Sequence, residues 1–181
     1  MSRTFICVAS GPSLTRSDCH IAVNSGHKVI AVNSSWKLVP ESHYLYAGDL
    51  SWWAQHNIDI STAAQKWTSS VLAANRYDLN LFRPDKRGPF NSGQRAIQLA
   101  AHLRANRILL LGYDCSIESG SHWHGDHAGK LHNPVPREVT RWHADFLSLK
   151  TELSGVEIIN CSRRTALTCF PQQSPESTFY A

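Results

Sequence analysis

Three histidines and an aspartate fall within six consecutive residues, His122-Trp123-His124-Gly125-Asp126-His127. Imidazoles and a carboxylate are good zinc ligands, and water bound to such an ion is a nucleophile at neutral pH. His122, His124, Asp126 and His127 are therefore candidates to converge on one divalent metal ion, with His132 and either His20 or His56 as further ligands. An unshifted imidazole titrates at about pH 6.5, so the same residues also suit proton transfer. The plainer alternative is a loop ordered by hydrogen bonds among these side chains, with Trp123 packed over it as a lid.

A second group of polar residues is dispersed along the chain but recurs at one kind of place, the end of an apolar run. Ser10, Gly11, Pro12 and Ser13 follow the run 4–9, and Asn33 and Ser34 close the run 28–33. Asp49 follows 43–47, Asp114 follows 107–112, and Asn91-Ser92-Gly93 opens a helical segment. In a parallel sheet these points share one rim, where open α/β sheets bind ligands and helix N-termini favour a phosphate. The absence of Cβ at Gly11 and the fixed φ of Pro12 are expected to let the backbone approach a ligand closely. Taken singly, each position reads as a cap or turn residue. Asp49, for one, suits a sugar hydroxyl or a metal, or the cap of the next helix.

The elements that must carry these residues are legible from periodicity. Strands are expected at 4–9, 28–33, 43–47, 66–72, 79–82, 107–112 and 156–160. Segment 92–105 is a helix with Ser92 as its cap, and 136–154 is a helix with Pro136 in its first turn and Gly155 past its end. The continuously apolar stretch 107–112 is that of a central parallel strand covered on both faces. Strands alternating with helices predict an α/β fold, a single Rossmann-like domain with a mostly parallel, doubly wound sheet over residues 1–170, followed by a C-terminal tail, 171–181. The tail, rich in Gln, Ser and Pro, is expected to be poorly ordered or bound to a partner.

Ser10-Gly11-Pro12-Ser13-Leu14, Ala31-Val32-Asn33, Asn91-Ser92-Gly93 and Leu111-Gly112-Tyr113-Asp114 occur in an order that resembles glycosyltransferase family 42, the bacterial sialyltransferases. The relatives of that family include motility-associated flagellin-modifying enzymes and pterin diphosphokinase-like proteins of DUF115 type. The chain is similar to short bacteriophage-encoded members, which share the later His/Asp block and an Ile-Asn-Cys-Ser ending. The resemblance implies a CMP-sugar donor held by Ser10, Gly11, Pro12, Ser13 and Asn33, with Ser92 and Gly93 near the sugar or phosphate. It also implies a histidine base for the acceptor hydroxyl, drawn from His122, His124, His127 and His132. His124 or His127 is favoured, with Asp126 orienting a neighbour. The chain carries Ser10 where the sialyltransferases carry Asn, lacks a counterpart of their acceptor-binding lid and paired tyrosines, and places Tyr113 before Asp114.

The 122–127 block also matches the H-x-H-x-D-H pattern of metallo-β-lactamase-like hydrolases. In those enzymes the motif follows an apolar strand and further ligands lie far downstream. Here it follows the polar stretch 117–121, and only His132 and His143 come after it, so that fold is not expected.

At 181 residues the chain can bury a core without staples. Its five scattered cysteines include no C-x-x-C pair, which argues against a disulfide framework or a cysteine zinc site and suits a reducing cytoplasm, that of a bacterial host for a phage-encoded chain. No run is long enough for a membrane span and no signal peptide is evident. The formal charge of +4 suits a small anionic nucleotide better than nucleic acid. The basic loop 83–88, with Lys86 and Arg87, reads first as a solvated loop and second as one that steers such an anion, and the turn 162–165, with Arg163 and Arg164, as one that contacts a phosphate or caps the chain end. The reading is a nucleotide-sugar-dependent glycosyltransferase acting on an acceptor of unspecified identity, with homo-oligomerisation as a way to complete a small site. The alternatives are a metal-dependent nucleotide hydrolase or diphosphokinase-like enzyme, and a non-catalytic phage accessory protein.

Overall fold

The computed structural model describes residues 2–84, 88, 90–127 and 131–180. The expected steering residues Lys86 and Arg87 lie outside them. Among the described residues seven strands form: β1 (Thr4–Val8), β2 (Lys28–Val32), β3 (Tyr44–Tyr46), β4 (Gln65–Thr68), β5 (Asn80–Leu81), β6 (Arg107–Leu111) and β7 (Glu157–Asn160). Between and after them run the helices α1 (Arg16–Asn24), α2 (Leu50–His56), α3 (Val71–Tyr77), α4 (Ser92–His102), α5 (Pro136–Glu152) and α6 (Pro175–Thr178). The expected strand 66–72 stops at Thr68. Ser70 accepts a hydrogen bond from the Ala73 backbone N–H and so caps α3, turning 71–72 into helix.

The strands make one sheet in the order β5-β4-β3-β2-β1-β6-β7, every adjacent pair parallel. This is the Rossmann-like α/β fold. The order reverses at β1, with β2 on one side and β6 on the other, and that is where such sheets open a crevice at their carboxyl ends. Alternation along each strand sends side chains to two cores. Ile6, Val8, Val29, Ala31, Leu109 and Leu111 meet α1, α2 and α3, with Trp52 and Trp53 of α2 both buried there. Phe5, Cys7, Ile30, Val32, Ile108 and Leu110 meet α4 and α5 through Ile97, Leu99, Phe146 and Leu149. Burial on both faces is why β1 and β6 read as unbroken apolar runs.

The start of α4 differs from expectation. Asn91, not Ser92, is its N-cap: Asn91 Oδ1 accepts from the Gln94 N–H at 2.9 Å, and Gln94 Oε1 accepts from the Asn91 N–H at 2.8 Å. Ser92 stands one place further on, and its hydroxyl accepts from the Gly48 N–H at 3.1 Å, tying the loop after β3 to α4.

The tail also departs from expectation, because it packs. Pro171 and Gln173 exchange backbone hydrogen bonds with Asn160, and Phe179 is fully buried in the α1 core. Arg163 grips the buried Asp18 of α1 through two bonds, at 2.9 and 2.6 Å, and also pairs with Glu176 of α6. The 162–165 turn therefore ties down the chain end, the second of the two roles expected for it. An apolar Phe179 at the end of a polar segment supplies the burial that composition averages hide. Among the described residues, no helix is long and apolar enough to cross a membrane.

Candidate functional site

A cleft of about 380 Å³ opens over the carboxyl ends of the central strands. Ser10 and Gly11 enter it after β1, Asn33 after β2, and Asp49 after β3. Asn91, Ser92 and Gly93 enter from the start of α4, and Asp114 after β6. Asn33 adopts the left-handed conformation, with φ 51°, which Asn tolerates better than most residues and which turns the chain sharply off β2. Asp49 sits at the N-cap position of α2 but makes no side-chain capping bond, so its exposed carboxylate is not held by the helix. Three expected contacts are not brought in. Ser34 is buried, Ser13 faces Asp114, and Pro12 lines a smaller recess of about 150 Å³ beside Arg164.

Asp114 braces the first loop. Its carboxylate, 5 % exposed, accepts from the Ser13 N–H at 2.9 Å and the Ser13 hydroxyl at 2.6 Å, with Arg164 at 3.9 Å. Burial raises its pKa above the ordinary carboxylate value, and the two Ser13 bonds offset part of that rise. Gly11 is fixed by the same carboxylate: a Cβ there would lie 2.2 Å from Asp114 Oδ1 and 2.6 Å from the Gly112 carbonyl. The glycine expected to admit a ligand is required by the loop's own packing. Tyr113 is likewise internal, its hydroxyl donating to the Gly93 carbonyl at 2.9 Å.

The 122–127 loop folds against the rim through Trp123. Its backbone N–H donates to the Ser10 carbonyl at 2.8 Å, and its indole N–H donates to the Ser35 hydroxyl at 3.1 Å, which in turn donates to the Ala9 carbonyl at 2.8 Å. Gly125, with φ 82°, closes a turn back to His122. Asn133 then holds the next segment by accepting from the His127 N–H at 2.7 Å. The result brings His122, His124 and His127 together, one ring nitrogen of each within 4.8 Å of the others. The rings of His122 and His124 stack at 4.9 Å, and His127 lies 4.4 and 5.1 Å from them. His122 Nδ1 and His124 Nε2 are buried and make no hydrogen bond. Burial, then the neighbouring His127, pushes the His122 and His124 imidazoles down to about 4, and burial lowers His127, so all three rings are neutral at pH 7.

Asp126 is exposed and stands outside this cluster. His20 is bonded to Asn24, and His132, which also lines the cleft, is bonded to Glu138; neither belongs to the three-ring cluster, and His56 of α2 lies within electrostatic reach of His127. His122, His127 and His132 line the cleft, and His124 does not.

Two arginines that sequence reasoning missed also line the cleft. Arg95 of α4 lies over the Phe90 ring at 5.1 Å and donates to the Gly88 carbonyl, and Arg141 of α5 faces Asp145 at 3.8 Å. Their signal was weak because helical periodicity marks only the apolar face, and a charge on the other face reads as solvated. Tyr46 and Ser69, hydrogen-bonded at 2.8 Å, complete the wall beside β3 and β4.

Fold and rim together define a Rossmann-like α/β protein with a cleft at the carboxyl ends of its strands. The chain superposes on the MAf glycosyltransferase from Magnetospirillum magneticum AMB-1 with a TM-score of 0.69 at 12% identity. The match covers 98% of this chain and 34% of that one, so the chain spans about a third of the length of the neighbour. No protein-family model matches the chain, nor does any curated protein.

Proposed function

We propose that the chain binds a nucleotide sugar in the strand-end cleft and transfers the sugar to an acceptor hydroxyl, in the manner of the sialyltransferases it resembles, with a CMP-sugar as donor. The observation that carries this reading is the convergence of four strand-end loops and the start of α4 on one cleft, in a fold shared with a glycosyltransferase. The nucleoside lies against Ser10, Gly11 and Asn33. The phosphate meets the positive end of α4 at Ser92 and Gly93, with Arg95 and Arg141 as the cations of the wall. Of the histidines, His127 is the base: it lines the cleft, is neutral at pH 7, and lies near the Asp49 carboxylate. Its ring takes the acceptor proton as the acceptor oxygen bonds to the anomeric carbon, and the bond from that carbon to the phosphate oxygen breaks to release the nucleotide.

The test is a thermal-shift screen with CMP, CMP-sialic acid, UDP-sugars, GDP-sugars and ATP, followed by an assay of nucleotide release with acceptors. A ligand that binds only the folded state raises the melting temperature. We expect stabilisation by one nucleotide class, lost in Asn33→Ala, and turnover lost in His127→Ala. Turnover unchanged in both variants overturns the reading. The histidine cluster favours one second reading, a metal-dependent nucleotide hydrolase, which would release free sugar or phosphate with no need of an acceptor.

A further inference from the structure

We infer that His122, His124 and His127 form a binding site for a divalent transition-metal ion of the Zn²⁺ class. The geometry is close to that of a three-nitrogen site. In a tetrahedral zinc centre with Zn–N of about 2.0–2.1 Å, ligand nitrogens stand about 3.3 Å apart. Here one nitrogen of each ring already lies within 4.8 Å of the others, so the rings must draw closer to hold an ion. The ligands are imidazoles, which suit zinc and its neighbours and not Mg²⁺, which takes oxygen.

Two further features point to an ion. His122 Nδ1 and His124 Nε2 are buried without a hydrogen-bond partner, and an unsatisfied buried polar group costs about 1–3 kcal/mol. An ion bound through these atoms removes that penalty. The loop is also held in place independently of the rings, by Trp123 on Ser10 and Ser35 and by Asn133 on the His127 backbone. The Trp123 ring meets that of His124 edge-on at 5.2 Å, so the anchor packs directly against one of the ligands. The resident set is three histidines without Asp126, which is exposed.

The fourth position of such an ion opens toward the cleft, which His122 and His127 line and into which Asp49 projects from the start of α2. This is the arrangement of catalytic zinc, three protein ligands with one place free for water or a substrate oxygen. A ring nitrogen that holds the ion cannot also take a proton, so the ion-bound and ion-free clusters are alternative states of His127. The site does not depend on what the cleft binds, and its test reads the ion directly.

The full-length protein is stripped with chelator, checked for fold by circular dichroism, and titrated with Zn²⁺, Co²⁺ and Mg²⁺ by calorimetry. We expect one Zn²⁺ per chain, a raised melting temperature, a visible Co²⁺ spectrum of four-coordinate type, and no response to Mg²⁺. His122→Gln, His124→Gln and His127→Gln should each weaken Zn²⁺ by at least the roughly 10–100-fold known for loss of an outer-shell partner. Asp126→Asn and His132→Gln should leave the affinity unchanged. The wild-type measurements stand even if a histidine variant misfolds. A folded wild-type protein that takes up no stoichiometric Zn²⁺, an octahedral Co²⁺ spectrum, or affinity undiminished in the three histidine variants overturns the inference.

Discussion

Replacing Gly11 by alanine separates two explanations of the same glycine. If the residue is small so that a ligand can approach, Gly11→Ala leaves stability alone and removes binding. If it is small because Asp114 occupies the place of a side chain, the variant is destabilised with no ligand present. The structure favours the second. Gly11 has no positive φ, so alanine meets no backbone strain; the conflict is steric. The new Cβ would lie 2.2 Å from Asp114 Oδ1, 2.5 Å from its Cγ and 2.6 Å from the Gly112 carbonyl, where real contacts stay beyond 3.0 Å. The carboxylate must retreat, and its 2.6 Å bond from the Ser13 hydroxyl breaks. Overpacking of this kind costs about 1–3 kcal/mol and a lost hydrogen bond to a charged group about 1.5–3 kcal/mol, together about 2.5–6 kcal/mol. For a chain of this size that lowers the melting temperature by roughly 5–24 °C. Urea denaturation of wild type, Gly11→Ala and Ser13→Ala is the assay. Ser13→Ala, which removes only the hydroxyl bond, should fall between the other two. A Gly11→Ala protein with an unchanged midpoint would refute the packing explanation and return the glycine to the ligand.

Three further outcomes follow from the same structure. Phe179→Ala should destabilise the protein by about 3–5 kcal/mol in denaturant titration, because a fully buried phenylalanine leaves a cavity against α1; a neutral result would mean that the tail does not pack. Arg163→Ala leaves the Asp18 carboxylate, whose side chain is 3 % exposed, without its cation. Breaking a buried pair costs about 3–5 kcal/mol; the half-exposed Arg163 brings the expected loss to about 2–3 kcal/mol, and Arg163→Lys should restore only part of it. Asp114 titrates above the ordinary carboxylate value of 3.8 when folded, so its charged form is the one folding disfavours. As pH falls through that raised value the folded state takes up the proton first, and this group adds stability on acidification. Asp114→Asn should abolish that component in stabilities measured at neutral and mildly acidic pH, and an unchanged pH profile would contradict it.

The strands were legible because both faces of the central sheet are buried, which leaves continuous apolar runs such as 4–9 and 107–112, and because polar residues stop each run where the rim begins. Seven strand positions and two long helices follow from that pattern alone. Periodicity is silent where the deciding partner is remote in sequence. The cap of α4 went to Asn91 and not Ser92 because Gln94 completes a reciprocal pair, and Ser92 was drawn to Gly48 across the rim. The tail looked polar by composition, yet one phenylalanine and Arg163 fasten it to α1.

The sequence by itself determined the α/β class, the residues gathered at the strand ends, and the presence of three histidines within six residues. The tertiary structure alone decided which of them face one another. A turn at Gly125 and an anchor at Trp123 select three rings and leave Asp126 in solvent, and Asp114 reaches the cleft while also bracing Ser13. Spacing along a chain fixes only the neighbours within a turn. Contacts between loops depend on where the sheet sets their ends, and that is a property of the whole fold.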